Sequence, residues 1–174
     1  MRFFAFLAAS LLGLSGCAGG LTGTPFTSTL ELRSASLERE DLYGTAMAGR
    51  VTVVSFFTPD CPDCHHFLRD MDELRAIHGN RPDLIAIAVT SPQGFGSAED
   101  PRPEMRAYLS ARSVSTPAYW DAQGRLTTAL NAETGQTVVV DRDGRIVFRQ
   151  RSQIRSPRQT DRLIEAVDRA LERD

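Results

Sequence analysis

The sequence predicts an α/β sandwich, a central mixed sheet flanked by helices, with an N-terminal strand extension and an inserted helix. Three observations carry that prediction. The β-branched and aromatic run Val51-Thr52-Val53-Val54-Ser55-Phe56-Phe57 is followed by a helical pattern and then by Leu84-Ile85-Ala86-Ile87-Ala88-Val89, the order of a strand–helix–strand unit. A later pair of apolar runs, 137–140 and 146–148, brackets Asp141-Arg142-Asp143-Gly144, as in a hairpin. Last comes an amphipathic segment suited to closing one face of the sheet.

In chain order, Phe26 to Leu32 alternates enough for an edge strand, and Leu37 to Met47 is irregular with a helical turn. Residues 51–57 form the first central strand. A helix over about 62–78 follows, with Phe67, Leu68, Met71, Leu74 and Ile77 on its inner face and Pro62 at its first position, where a missing N–H costs nothing. Gly79-Asn80 tolerates the left-handed backbone that ends a helix. The run 84–89 is apolar throughout, as a buried parallel strand should be. Ser91 to Arg102, broken by Pro92, Gly94, Gly96 and Pro101, is a loop, and Pro103 to Arg112 is a short helix with Met105, Tyr108 and Leu109 inward. Ala118-Tyr119-Trp120 is a short strand, with Trp120 assigned to the core, and Asp121 to Gly124 a turn. After the hairpin, Ser156 caps a helix that opens on Pro157 and buries Leu163, Ile164, Val167, Ala170 and Leu171.

Between the first strand and the first helix stands Cys61-Pro62-Asp63-Cys64. A dithiol at a helix N-terminus suits exchange chemistry, because the helix dipole and free N–H groups stabilise a thiolate. On this reading Cys61 is the nucleophile and Cys64 resolves the mixed disulfide. The rival readings are a static disulfide or part of a zinc site, but a structural zinc site needs four ligands and no second Cys-x-x-Cys exists. His65 and His66 are read as solvated helix residues, so neither a metal ligand set nor a dissociable cofactor is expected beyond the Cys61–Cys64 couple itself. Asp60 precedes the pair and Asp63 lies within it, and both oppose thiolate formation if they lie near Cys61. Asp70, Asp72 and Glu73, alternating with Arg69 and Arg75, read as an ordinary wet helix face.

The third cysteine has a separate explanation. Met1-Arg2, the apolar run Phe3 to Leu14 and Ser15-Gly16-Cys17 make a secretory signal, too short in its apolar core to span a bilayer. Leu14-Ser15-Gly16-Cys17 also resembles the lipobox of bacterial lipoproteins, which implies cleavage after residue 16 and lipidation of Cys17. The alternative is an ordinary cleaved signal. Residues 18–25 are small and uncharged, as befits a tether. The expected organisation is therefore a signal over 1–16, a lipidated cysteine and tether over 17–25, and one domain over 26–174, located in the cell envelope facing the periplasm or exterior. Net charge is −2 and all 20 basic residues are arginine. With no basic stripe in view, nucleic acid is not an expected partner.

Taken together, residues 26–172 resemble the thioredoxin-like family, specifically its membrane-anchored TlpA/ResA-type branch. The resemblance rests on Val51 through Cys64, on the inserted helix before Pro117 and on Thr137-Val-Val-Val-Asp-Arg-Asp-Gly-Arg-Ile-Val. It implies a thiol–disulfide oxidoreductase, a reductase of protein disulfides in cytochrome c maturation or a similar process, with protein dithiol and disulfide substrates and a membrane or periplasmic electron donor. Sco-type copper chaperones share the fold and a similar Cys-Pro-Asp run, and copper binding by the same cysteines is the alternative. Their spacing is three residues with a distant histidine, whereas here it is two and no histidine follows His78.

Three positions depart from the family pattern. Asp60 stands where the family has Trp, and Ser55 where it has Asn or a buried Asp. The family's cis-proline position falls at Gly135, within a groove loop Thr134-Gly135-Gln136, with Thr116-Pro117 as the alternative source of that proline. A cis bond before a non-proline residue costs roughly 2.5–4 kcal/mol, so a trans peptide is expected at Gly135.

Overall fold

Every residue of Val51–Phe56 is buried, and this strand is the axis of the molecule. The computed structural model describes residues 25–96, 99–151 and 157–173. The signal, Cys17 and nearly all of the tether, and the Ser156 cap, lie outside the described residues. The elements are β1 (Glu31–Ser34), β2 (Leu42–Tyr43), α1 (Gly44–Met47), β3 (Val51–Phe56), α2 (Cys64–His78) and β4 (Leu84–Thr90). They continue with α3 (Arg102–Ser110), β5 (Ala118–Trp120), α4 (Arg125–Ala129), β6 (Gln136–Val140), β7 (Ile146–Arg151) and α5 (Pro157–Leu171).

The strands form one mixed sheet in the order β2-β1-β5-β4-β3-β6-β7. β3, β4 and β5 run parallel, while β6 pairs antiparallel with β3 and β7 antiparallel with β6. β3 is apolar on both faces because both are covered. Val51 and Val53 pack against Met71 and Leu74 of α2 and Leu163 and Val167 of α5. Val54 and Phe56 pack on the opposite side against Met47, Leu126 and Leu130. A third cluster joins Phe57, Cys64, Leu68, Met105, Tyr108 and Leu109 at the end of β3 that carries the dithiol.

The fold class is as expected, with differences in detail. The first strand starts at Glu31 rather than Phe26, because Leu30 N–H donates to Thr27 O (3.0 Å) and turns the chain first. Phe26 and Leu30 are nonetheless buried. Helix α2 begins at Cys64, not at Pro62. Cys64 N–H donates to Cys61 O (3.3 Å), so Pro62 and Asp63 occupy a turn ahead of the helix. Ile77 is exposed, and His78, four residues after Leu74, takes the inner position and meets Asp168 of α5 (3.5 Å). Gly79 ends α2 with φ +63°. β2 and α4 carry no periodic signal at two and five residues and were not expected.

Candidate active site

The dithiol follows directly from the order of elements. Strand β3 delivers the chain to the sheet's carboxyl edge, Thr58 to Asp63 turn, and α2 starts on Cys64. Cys61 and Cys64 are joined by a disulfide with an S–S distance of 2.06 Å and Cα atoms 5.4 Å apart. The two sulfurs differ in environment. Cys64 is completely buried in the cluster with Phe57 and Leu68, whereas Cys61 is partly exposed. Behind them three aromatic rings interlock: Phe57 meets Phe95 edge-on (5.9 Å) and Tyr108 in a stack (5.9 Å), and Phe95 meets Tyr108 edge-on (5.8 Å). Burial pushes the Tyr108 hydroxyl above its usual pKa, a trend the Arg112 guanidinium opposes.

Cys61 opens into a cleft of about 340 Å³ lined by Thr58, Asp60, Ser91, Gln93, Gly94 and Thr134. Its outer wall, the loop after β4, needs glycine at 94: a Cβ there would stand 1.9 Å from Thr90 Oγ1 and 3.3 Å from Thr58 Cγ2. This wall is absent from the sequence reading, where Gly94 signified only a loop. Asp60, at the position where the family has Trp, is exposed.

The loop 134–136 lies beside this cleft. Thr134 lines it, and Gly135, at φ +78°, donates its N–H to Phe56 O (2.8 Å), tying the loop to the end of β3. All peptides of the described residues are trans. Cys64 Sγ lies 3.9 Å from the same Phe56 oxygen, and as half of a disulfide it has no proton to donate there. The Gln136 side chain accepts from Arg149 (2.7 Å) and does not line the cleft. Pro117 stands at the start of β5, where its carbonyl accepts from Ala88 N–H (2.9 Å), and it borders clefts that do not include Cys61. Ser55 is buried and its hydroxyl pairs with that of Thr137 (2.7 Å). The sequence flagged the missing carboxylate at 55 but gave no sign of this pair, because Thr137 is remote in the chain.

The acidic face of α2 is not uniformly wet. Asp70 is buried and accepts from Thr160 of α5 (3.0 Å). Asp72 accepts from Ser115 N–H (3.0 Å), Ser115 Oγ (2.9 Å) and Thr116 Oγ1 (2.6 Å), pinning the chain as it enters β5. Alternating charge signs concealed these two tertiary contacts. Trp120 is half-buried against the Cys64 cluster, with the Arg33 guanidinium 5.8 Å over its ring. Among the described residues no group of three or more His, Cys, Asp or Glu side chains is placed to hold a metal ion.

Residues 22–164 match the Redoxin family. The chain belongs to the Redoxin family. No curated protein sequence matches it. Solved structures with the same fold include a secreted Mycobacterium tuberculosis disulfide oxidoreductase homologous to E. coli DsbE, at 18% identity and TM-score 0.60 over 80% of this chain and 94% of that one. A thiol:disulfide interchange protein of Chlorobium tepidum gives 19% identity and TM-score 0.61 over 86% and 97%. StoA of Bacillus subtilis gives 18% and 0.60 over 82% and 98%. At these identities the likeness establishes the thioredoxin-like fold. Family membership together with the disulfide-bonded Cys-x-x-Cys makes this Redoxin member a thiol–disulfide oxidoreductase.

Proposed function

We propose that this Redoxin member is an extracytoplasmic, lipid-anchored reductase of protein disulfides, serving cytochrome c maturation or a similar process. The observation that carries the chemistry is the asymmetry of the pair: Cys61 opens onto a cleft and Cys64 has no exposure. Only Cys61 is accessible to a protein disulfide. In the reduced enzyme its thiolate, at the positive end of α2, attacks one substrate sulfur, and the other substrate sulfur leaves as a thiolate that takes up a proton. Cys64 then attacks Cys61 Sγ, giving up its proton. The substrate leaves as a dithiol with two electrons gained, and the Cys61–Cys64 disulfide forms with two lost. A membrane or periplasmic dithiol donor restores the reduced pair by the same exchange. The cysteine pair needs no further cofactor for this cycle.

Support for the location comes from the signal and lipobox-like run ending at Cys17. No helix among the described residues is long and apolar enough to cross a membrane. On this reading residues 1–16 are removed, 17–25 anchor and tether, and 26–174 form the domain. Two experiments test the proposal. Cys64→Ser should trap a mixed disulfide with partner proteins on Cys61. Equal trapping on Cys64 in a Cys61→Ser variant would reverse the roles. Labelling with a fatty-acid analogue should mark the wild-type chain and leave Cys17→Ala unmarked. An unlabelled wild-type chain rules out the anchor.

A further inference from the structure

We infer that Asp60 makes the cleft beside Cys61 select disulfides that carry positive charge next to the scissile bond. The inference rests on the reductase reading and names its substrate class. Among the described residues, Asp60 is the only charged side chain in the lining of the cleft that contains Cys61. The other lining residues supply three hydroxyls, one amide and a glycine. Asp60 makes no ion pair among the described residues, so its carboxylate is uncommitted. Asp63 adds a second carboxylate in the turn between the cysteines, and Glu133, next to the lining Thr134, is already matched by Arg151. Across the cleft the loop residues Ser91, Gln93 and Gly94 bring no cation.

A cleft of this size lies at the small end of ligand sites, so it takes one side chain or a small thiol fragment flanking the attacked sulfur. Its polar lining gives an apolar flank little to bury against. A flanking Arg or Lys instead meets a carboxylate with hydroxyl and amide acceptors around it. At a separation of roughly 6 Å in largely aqueous surroundings, one unit charge changes encounter with Cys61 by a factor of about 3 to 10, favouring cations and disfavouring anions alike. A cationic disulfide should therefore outpace an anionic one by about tenfold or more at low salt, and less as salt screens the pair.

The test uses the reduced full-length chain and three small disulfides: cystamine, which is dicationic, 2-hydroxyethyl disulfide, which is neutral, and dithiodipropionate, which is dianionic. Second-order rates are read by rapid mixing in low salt and in about 1 M salt, where screening acts within about 3 Å. Each rate is divided by that of 2-mercaptoethanol with the same disulfide, which removes differences in leaving-group acidity. The ratio of cationic to anionic normalised rate is the readout, because any effect of Asp60 on Cys61 reactivity acts on all three probes and cancels. We expect a ratio of about ten or more in wild type, falling to about three or less in Asp60→Asn and in high salt. Glu in place of Asp60 should retain most of it. Three equal normalised wild-type rates, or an unchanged ratio in Asp60→Asn, overturn the charge selection while leaving exchange activity established. Failure of the reduced chain to react with any of the three overturns the reductase reading itself.

Discussion

Replacing Gly135 with proline would restore the residue that the thioredoxin-like family places opposite its dithiol, and the sequence by itself suggests a gain in turnover. The structure reverses that expectation. Gly135 N–H donates to Phe56 O at 2.8 Å, and the residue sits at φ +78°. Proline has no N–H and fixes φ near −65°, so it can satisfy neither condition. Leaving the Phe56 carbonyl without its donor costs about 1–3 kcal/mol. Rebuilding the loop adds a further penalty larger than the roughly 0.4–1 kcal/mol a well-placed proline contributes. Gly135→Pro should lose about 2–4 kcal/mol in urea unfolding of the oxidised chain, with an unchanged denaturant slope. It should also slow exchange, because the neighbouring Thr134 lines the cleft. Gly135→Ala keeps the N–H and bears a left-handed cost of about 1–2 kcal/mol, so the difference between the two variants reports the lost hydrogen bond together with the rebuilding that proline forces. A proline variant as stable as wild type and faster in turnover would refute the reasoning and show that the Gly135–Phe56 bond does not organise the loop.

Gly94→Ala should destabilise by about 1–3 kcal/mol through overpacking, and Thr90→Ala in the same chain should recover most of it by removing the hydroxyl 1.9 Å from the new Cβ. Additive effects in the double-mutant cycle would exclude that contact. Asp83 is held at a pKa of about 2, first by its hydrogen bond from Arg81 and also by Arg142 from the hairpin turn. Because its pKa is depressed in the folded state, the stabilisation is present above the unfolded value near 3.8 and fades as pH falls toward 2. Discounted for solvent screening, it amounts to about 1 kcal/mol, so wild type and Asp83→Asn should differ by that much at pH 7 and converge near pH 2. A constant gap across that window would mean the charge contributes nothing. The Cys61–Cys64 couple, measured against glutathione, should lie nearer the roughly −270 mV of thioredoxin than the roughly −120 mV of DsbA. A value above about −150 mV would make the chain an oxidant.

Periodicity exposed the fold because its longest elements are strongly patterned. β3, β4 and the β6–β7 hairpin read directly as runs of apolar residues, and α5 as a face. What escaped was set by contacts between remote segments. Ile77 and His78 exchange places because α5 supplies Asp168 opposite the latter, which no reading of α2 alone could reveal. Asp70 and Asp72 looked solvated for the same reason: their donors, Thr160, Ser115 and Thr116, come from other elements. At the site, the cysteine pair and its position after β3 were legible from local order. The cleft was not, because one side comes from the loop after β4 and another from the loop before β6, and only the folded sheet brings Gln93 and Thr134 beside Cys61.

The pairing of β3 with β6 carries a consequence in time. The central strand is synthesised early, yet one of its two neighbours lies far ahead in the chain. The Ser55–Thr137 hydroxyl contact spans 82 residues. Loop closure of that length must precede the contacts that reward it, which slows folding of non-local sheets. Until Gln136–Val140 has been made, β3 lacks its antiparallel partner and the core on both of its faces stays open. A nascent chain of this design therefore stays unfolded through most of its synthesis. The same delay leaves β3 in need of protection from aggregation until its last neighbour arrives.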